Sequence, residues 1–207
     1  MQEERVNMIT LPPEAIRDFL FVGKTTVTVK EYELLCALVL HQFVEMQFKQ
    51  PCQICFELKE EFYVKGIVKG MATLSEIQVY LSDQVRQDSD VDVGISCGSG
   101  VVGFQLKRFG KGKNAAGKDL ADYINEMKSK YGSKPRNVKL VLIIESDSEI
   151  DLVEMFDKLQ MQDYPFAAVM YMGMDSSTQN LHIGELWPQR GFDEYKIING
   201  NLVKLVT

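Results

Sequence analysis

The stretch Val138–Glu145, which reads VKLVLIIE, constrains this chain more than any other. Six of its eight residues are large and apolar, in nearly unbroken succession. A strand with one wet face alternates apolar and polar residues, whereas a strand covered on both faces does not. The run therefore predicts a central strand with helices packed on either side. That arrangement calls for a parallel or mixed sheet.

The neighbouring segments fit the same architecture. Val91–Ile95 and Val101–Phe109 alternate like strands and flank the turn-rich tetrad Cys97-Gly98-Ser99-Gly100. Ala115–Tyr131 reads as an amphipathic helix, with Leu120, Ile124, Met127 and Tyr131 on one side. Gly132 follows it, and Lys128 and Lys130 fall in its last turn. Ser146 or Ser148 caps a further helix to about Met161. Phe166–Gly173 and Leu181–Trp187 read as strands. The expected fold class is α/β (α+β), a mixed sheet flanked by helices.

Residues 1–70 read as a mainly helical N-terminal extension ahead of a core at 71–207. A short helix over 12–22 starts at Pro12-Pro13, Thr25–Val29 has the β-branched content of a short strand, and a buried helix spans 30–48. Pro51 ends that helix. Residues 52–70 are open between strand and helix, and Ala72–Val85 carries a helical stripe of Leu74, Ile77, Leu81 and Val85.

Composition excludes some classes. No apolar run approaches the roughly 18 residues of a membrane helix, and the polar start Met1-Gln2-Glu3-Glu4-Arg5 has no secretory pattern. Four unevenly spaced cysteines point to reduced thiols in a cytoplasmic protein rather than to a disulfide framework. The net charge of −6 hides an asymmetry. Gln105–Lys139 holds ten basic and three acidic residues, +7, against −13 for the remainder. Such an island is the footprint of a surface that meets phosphate, although a solvated Lys-rich face gives the same count.

The hairpin arranges chemistry by face. A two-residue loop at Gly98-Ser99 sets Cys97 opposite Gly100, and counting back sets Asp92 opposite Gln105 and Asp90 opposite Lys107. Val93 and Ile95 then share the apolar face with Val102, Phe104 and Leu106. A one-residue slip would put Phe104 beside Asp92 and destroy that face. Two carboxylates, an amide and a lysine are thereby expected together. Asp92, the Gln105 side-chain oxygen, the Leu106 carbonyl and Asp90 in reserve are candidate ligands for Mg²⁺ or Mn²⁺, which take oxygen donors. Lys107 is the candidate to assist an attacking water and to stabilise charge building on phosphorus.

Asp92, the hairpin and Gln105-Leu106-Lys107, followed by a helix and a buried strand, resemble the PD-(D/E)XK nuclease superfamily. The similarity is to its Mrr-like branch, in which Gln often replaces the acid of the E-x-K element. It covers about residues 72–145. The resemblance implies a restriction-endonuclease-like fold and a metal-dependent nuclease, with catalytic Asp92, Gln105 and Lys107. It implies a nucleic-acid partner, DNA before RNA, with Arg108, Lys111, Lys113 and Lys118 on the backbone. The family's helix glutamate maps to Glu76, which faces away from its helix's apolar stripe. Between the first helix and the aspartate strand only Val85–Ser89 is left for the family's short strand. An inactive nuclease-fold protein that binds nucleic acid or a protein partner is the alternative.

Other motifs carry less. Gly23-Lys24-Thr25-Thr26 lacks the earlier glycine of a phosphate-binding loop, since Asp18 occupies that position. Cys52-Gln53-Ile54-Cys55 has the spacing of half a zinc site but no second half. His41 reads as a packed or surface residue, and Trp187 as a core anchor.

Overall fold

The computed structural model describes residues 10–22, 29–56, 92–97, 100–110, 120–131, 138–144, 157, 159 and 163–206. Eight strands form one mixed sheet whose spatial order follows the chain: β1 (Cys52–Phe56), β2 (Val93–Cys97), β3 (Gly100–Phe109), β4 (Val138–Ile144), β5 (Ala168–Met174), β6 (Leu181–Trp187), β7 (Gly191–Ile198) and β8 (Asn201–Lys204). The pairs β3–β4 and β4–β5 are parallel and the others antiparallel. The α/β class expected from the sequence is what the chain adopts.

Three helices are described. The short α1 (Pro13–Ala15) has proline in its first turn, where no N–H is needed, and runs into a π-helical turn, Ile16–Phe21. The long α2 (Val29–Phe48) is apolar around most of its circumference, and every residue from Leu34 to Leu40 is buried. It stops at Lys49, which takes a left-handed φ of 53°, a common way to close a helix. The third, α3 (Leu120–Tyr131), lies between β3 and β4 in the chain and makes the crossover that a parallel pair requires.

Strand β4 explains how the core is divided. Its Val141 and Ile143 join a cluster with Ile16, Leu20, Leu34, Leu35, Phe104 and Met170, under α1 and α2. Its Leu140, Leu142 and Ile144 join a second cluster on the opposite face, with Tyr123, Ile124, Val169, Tyr171 and Leu186, under α3. Successive side chains alternate between two buried faces, so the whole run is apolar.

Three expectations change. The strands β7 and β8 lie beyond the last strand read from the sequence. Their turn is Asn199-Gly200, with φ of 50° and 76°, and Ile198 pairs with Asn201. Positive φ at both central residues is the two-residue hairpin turn that Asn-Gly favours. The boundary near residue 70 separates no packing unit among the described residues, because β1 is hydrogen-bonded to β2 and α2 supplies much of the first cluster. Cys52 is disulfide-bonded rather than a reduced thiol. Its Cα partner across β1–β2 is Cys97, and directly opposed positions of an antiparallel pair lie within the span of a disulfide.

Gln42 of α2 ties the ends of the chain together. Its Oε1 accepts from Leu202 N–H at 2.6 Å and its Nε2 donates to the Gly200 carbonyl at 3.1 Å. The Leu11 N–H donates to the same carbonyl at 2.7 Å. A buried amide that satisfies backbone groups 158 and 160 residues away holds the terminal hairpin against the helix.

Candidate active site at the end of the β2–β3 ladder

The register of β2 against β3 is the one the alternation predicts: Cys97 faces Gly100 and Val93 faces Phe104. The next position places Asp92 opposite Gln105, and the Asp92 N–H donates to the Phe104 carbonyl at 3.0 Å. There the paired ladder stops. Asp92 turns its carboxylate onto β3, where Oδ2 accepts from the Leu106 N–H at 2.7 Å and from Gln105 Nε2 at 2.5 Å. The side chain thus takes the backbone donor that a longer β2 would have used. A carboxylate held by two N–H donors is fixed in position, and such charge-assisted bonds are the stronger kind.

Beyond that point β3 continues to Phe109, paired with β4 through Ile144. The residues Gln105–Phe109 therefore extend past the last described pair of β2 and β3. Gln105 and Lys107 share one face of this extension, and Leu106 and Arg108 share the other. Lys107 and Arg108 are half-buried. The geometry brings Asp92 and Gln105 into direct contact and sets Lys107 next in the same row. Asp90, Lys111, Lys113, Lys118 and Glu76 lie outside the described residues, as do the 72–85 helix, Gly23-Lys24 and residues 25–28 of the expected Thr25–Val29 strand, whose Val29 begins α2.

Two details correct the expected chemistry. Gln105 does not stand on an open polar face, since it is 3% exposed. Its amide nitrogen, not its oxygen, meets Asp92, and Oε1 is buried with no hydrogen-bond partner among the described residues. An unsatisfied buried acceptor costs about 1–3 kcal/mol, which a bound donor or cation removes. Leu106 reaches the site through its N–H; its carbonyl has no described role there.

The helix α2 contributes residues that reading it as apolar packing missed. Tyr32 is 8% exposed, and the Arg108 guanidinium lies 5.0 Å from its ring centroid. Cys36 is fully buried. Its burial pushes the thiol well above the usual range, the Glu33 and Asp92 charges raise it further, and Arg108 opposes them. Glu33, Asp92 and Arg108 are thus neighbours of one buried thiol. The only sequence signal was a pair of acids, Glu31 and Glu33, near the start of an otherwise apolar helix.

The chelating potential of this corner is limited. Among the described residues no group of three or more His, Cys, Asp or Glu gathers to hold a metal ion. A divalent ion would have Asp92 and the orphaned Gln105 Oε1 as protein donors, with water and phosphate oxygens for the rest, a mixture that suits Mg²⁺. In the half zinc site Cys52 is disulfide-bonded, so its sulfur is not a thiolate ligand. His41 is packed, 3% exposed, with Nε2 bound to the Cys52 carbonyl at 2.8 Å. Trp187 anchors the second core cluster, edge-on to Tyr164 at 5.4 Å.

A cavity of about 590 Å³ opens elsewhere, between the end of α2 (Phe43, Gln47, Phe48) and the floor residues Val102, Phe104 and Lys139. Phe104 is on the opposite face of β3 from Gln105, so this cavity is not the Asp92 corner. No helix among the described residues is long and apolar enough to cross a membrane. Comparison of the chain with protein families, with curated proteins and with solved structures finds no match.

Proposed function

We propose that the chain is a metal-dependent nuclease that hydrolyses phosphodiester bonds in DNA, with Asp92, Gln105 and Lys107 at its centre. One observation carries the reading: a buried, unpartnered amide oxygen on Gln105 lies beside a carboxylate fixed by two N–H donors. Order along the chain supports it too. The strands β2 and β3, the crossover α3 and the parallel β4 run in the order that the PD-(D/E)XK resemblance implies. In this reading β1 takes the short strand before the aspartate strand, and Glu33 on α2 takes the helix carboxylate's place instead of Glu76.

Each residue has a task. Asp92 and Gln105 hold Mg²⁺ or Mn²⁺, which supplies Lewis-acid polarisation of the phosphate and acidifies water when bound. The Leu106 N–H keeps the Asp92 carboxylate from rotating away. Lys107, two residues along from Gln105, places a positive charge where negative charge builds on the phosphate oxygens. The basic residues after it, Arg108, Lys111, Lys113 and Lys118, hold the DNA backbone, which makes binding salt-dependent.

The second reading is a nuclease-fold protein that binds nucleic acid without cutting it. What favours it is that Asp92 Oδ2 already accepts two hydrogen bonds, from Gln105 and Leu106. Incubation of plasmid DNA with Mg²⁺ or Mn²⁺ separates the two. Cleavage that falls about a hundredfold or more in Lys107→Ala and Asp92→Asn supports the nuclease. Retention of DNA without cleavage supports the binder, and equal cleavage by wild type and Lys107→Ala rejects the assigned site.

A further inference from the structure

Lys139 has no part in the Asp92 corner. It sits near the start of β4, between Phe104 of β3 and Ala168 of β5, on the sheet face that looks to α2. The next residues on that face, Val141 and Ile143, belong to the first core cluster, whereas Lys139 is half-buried and lines the cavity of about 590 Å³. That cavity opens where α2 ends. Its floor is Val102, Phe104, Met170 and Ile183, and Phe48 and Phe192 stand at its sides, 55% and 48% exposed. Two large rings left in water around one cavity are not scattered surface residues. The charges there are unequally answered. Arg190 pairs with Asp157 at 3.0 Å and Asp193 with Lys204 at 2.8 Å. Glu185 accepts from the Gln189 N–H at 3.2 Å and lies two strands away from Lys139, about 10 Å or more. Among the described residues no hydrogen bond or ion pair reaches the Lys139 ammonium.

We infer that this cavity binds a small aromatic anion, a ring body bearing one carboxylate, sulfonate or phosphate, with Lys139 taking the charge. The inference does not depend on the nuclease reading, because the cavity and the Asp92–Gln105 contact use opposite faces of β3. The volume suits a small-molecule site, which is mostly apolar with a few placed polar groups. Rings from Phe48, Phe104 and Phe192 offer faces and edges to an aromatic body. A lysine ammonium is a compact point charge that serves any of these acid groups, and a charge-assisted bond is the stronger kind. Gly191 of β7 keeps the site open. It lies opposite Glu185 and so shares the cavity's face, and a Cβ added there meets nothing within 4 Å.

Fluorescence titration of the full chain with anilinonaphthalene sulfonate, and with N-phenylnaphthylamine, the same rings without the sulfonate, tests this. Wild type is expected to bind one sulfonate per chain, about tenfold or more tighter than the neutral amine. Lys139→Met is expected to bring the sulfonate down to the amine's affinity and to leave the amine unchanged. Gly191→Leu fills the cavity and is expected to lose both probes while its thermal melt stays near wild type. Glu185→Gln is expected to bind the sulfonate at least as tightly as wild type. Equal affinity of wild type for the two probes, or binding of neither, overturns the inference. So does undiminished sulfonate binding in Lys139→Met or in Gly191→Leu. A loss in Glu185→Gln as large as that in Lys139→Met overturns it in favour of a zwitterionic ligand. Competition checks the ring: naphthoate is expected to displace the sulfonate at a lower concentration than decanoate does, and the reverse order overturns the aromatic assignment. Should Lys139→Met fail to fold, Lys139→Gln is read in its place.

Discussion

Gln105 donates its amide N–H to Asp92 Oδ2 across the point where β2 and β3 stop pairing. The two side chains meet because residue 92 is the first position past the paired ladder, so a side chain rather than a peptide answers β3. The Leu106 N–H completes the contact. Asp92→Asn can place its amide oxygen where Oδ2 stands, so that it still accepts from the Leu106 N–H and from Gln105 Nε2. Asp92→Ala leaves a backbone donor and a buried amide without partners. Urea denaturation is expected to show Asp92→Asn near wild type and Asp92→Ala less stable by about 1–3 kcal/mol.

The C-terminal hairpin depends on Gln42 and Gly200. Gln42→Ala removes the acceptor for Leu202 N–H and is expected to lower stability by about 2 kcal/mol. Gly200→Ala meets two obstacles, a φ of 76° and the Thr10 side chain that lies where the new Cβ would go. A thermal melt of each variant, with Asn201→Ala as a reference on the same hairpin, is expected to show large drops in the first two only.

Asp175 gives an acid signature. Its Oδ1 accepts from the Ser177 hydroxyl and from the N–H groups of Ser177 and Thr178, closing the turn between β5 and β6. Those bonds, the Ser177 hydroxyl first, hold its carboxyl down to about 2. A carboxyl whose folded value lies below its unfolded one, about 3.9, stabilises fully above that unfolded value. The contribution disappears as pH falls towards 2. Denaturation series at pH 7, 4 and 2.5 are expected to show a shallower acid decline in Asp175→Ala than in wild type.

Cys36 is expected to be silent to thiol reagents. Burial, then the Glu33 and Asp92 charges, keep it protonated, and the thiolate is the reactive form. Titration with a disulfide reagent at pH 8 is expected to leave Cys36 unmodified in folded protein and to modify it once guanidinium is added. Rapid labelling of Cys36 in the native state contradicts the packing of α2 beside Asp92.

Periodicity carried most of what the sequence revealed. The β2–β3 register was legible because a one-residue slip would have buried Asp92 and exposed Phe104, an error too costly to be ambiguous. Strand β4 was legible because two cores demand apolar residues on both its faces. The β7–β8 hairpin escaped despite a strong local cue, Asn199-Gly200 between Ile198 and Leu202, since Lys196, Asn201 and Lys204 weaken the apolar alternation around it. The burial of Gln105 could not be read at all. It depends on what covers β3 in three dimensions, as does the approach of Tyr32 and Glu33 from a helix about sixty residues upstream.

Calorimetric titration of the protein with Mn²⁺ tests the central claim most directly. The account predicts one ion bound per chain, with affinity lowered about tenfold or more in Asp92→Asn and also lowered in Gln105→Leu, while Lys107→Ala binds as wild type does. Undiminished Mn²⁺ affinity in both Asp92→Asn and Gln105→Leu, or no binding by the wild-type chain, would contradict it.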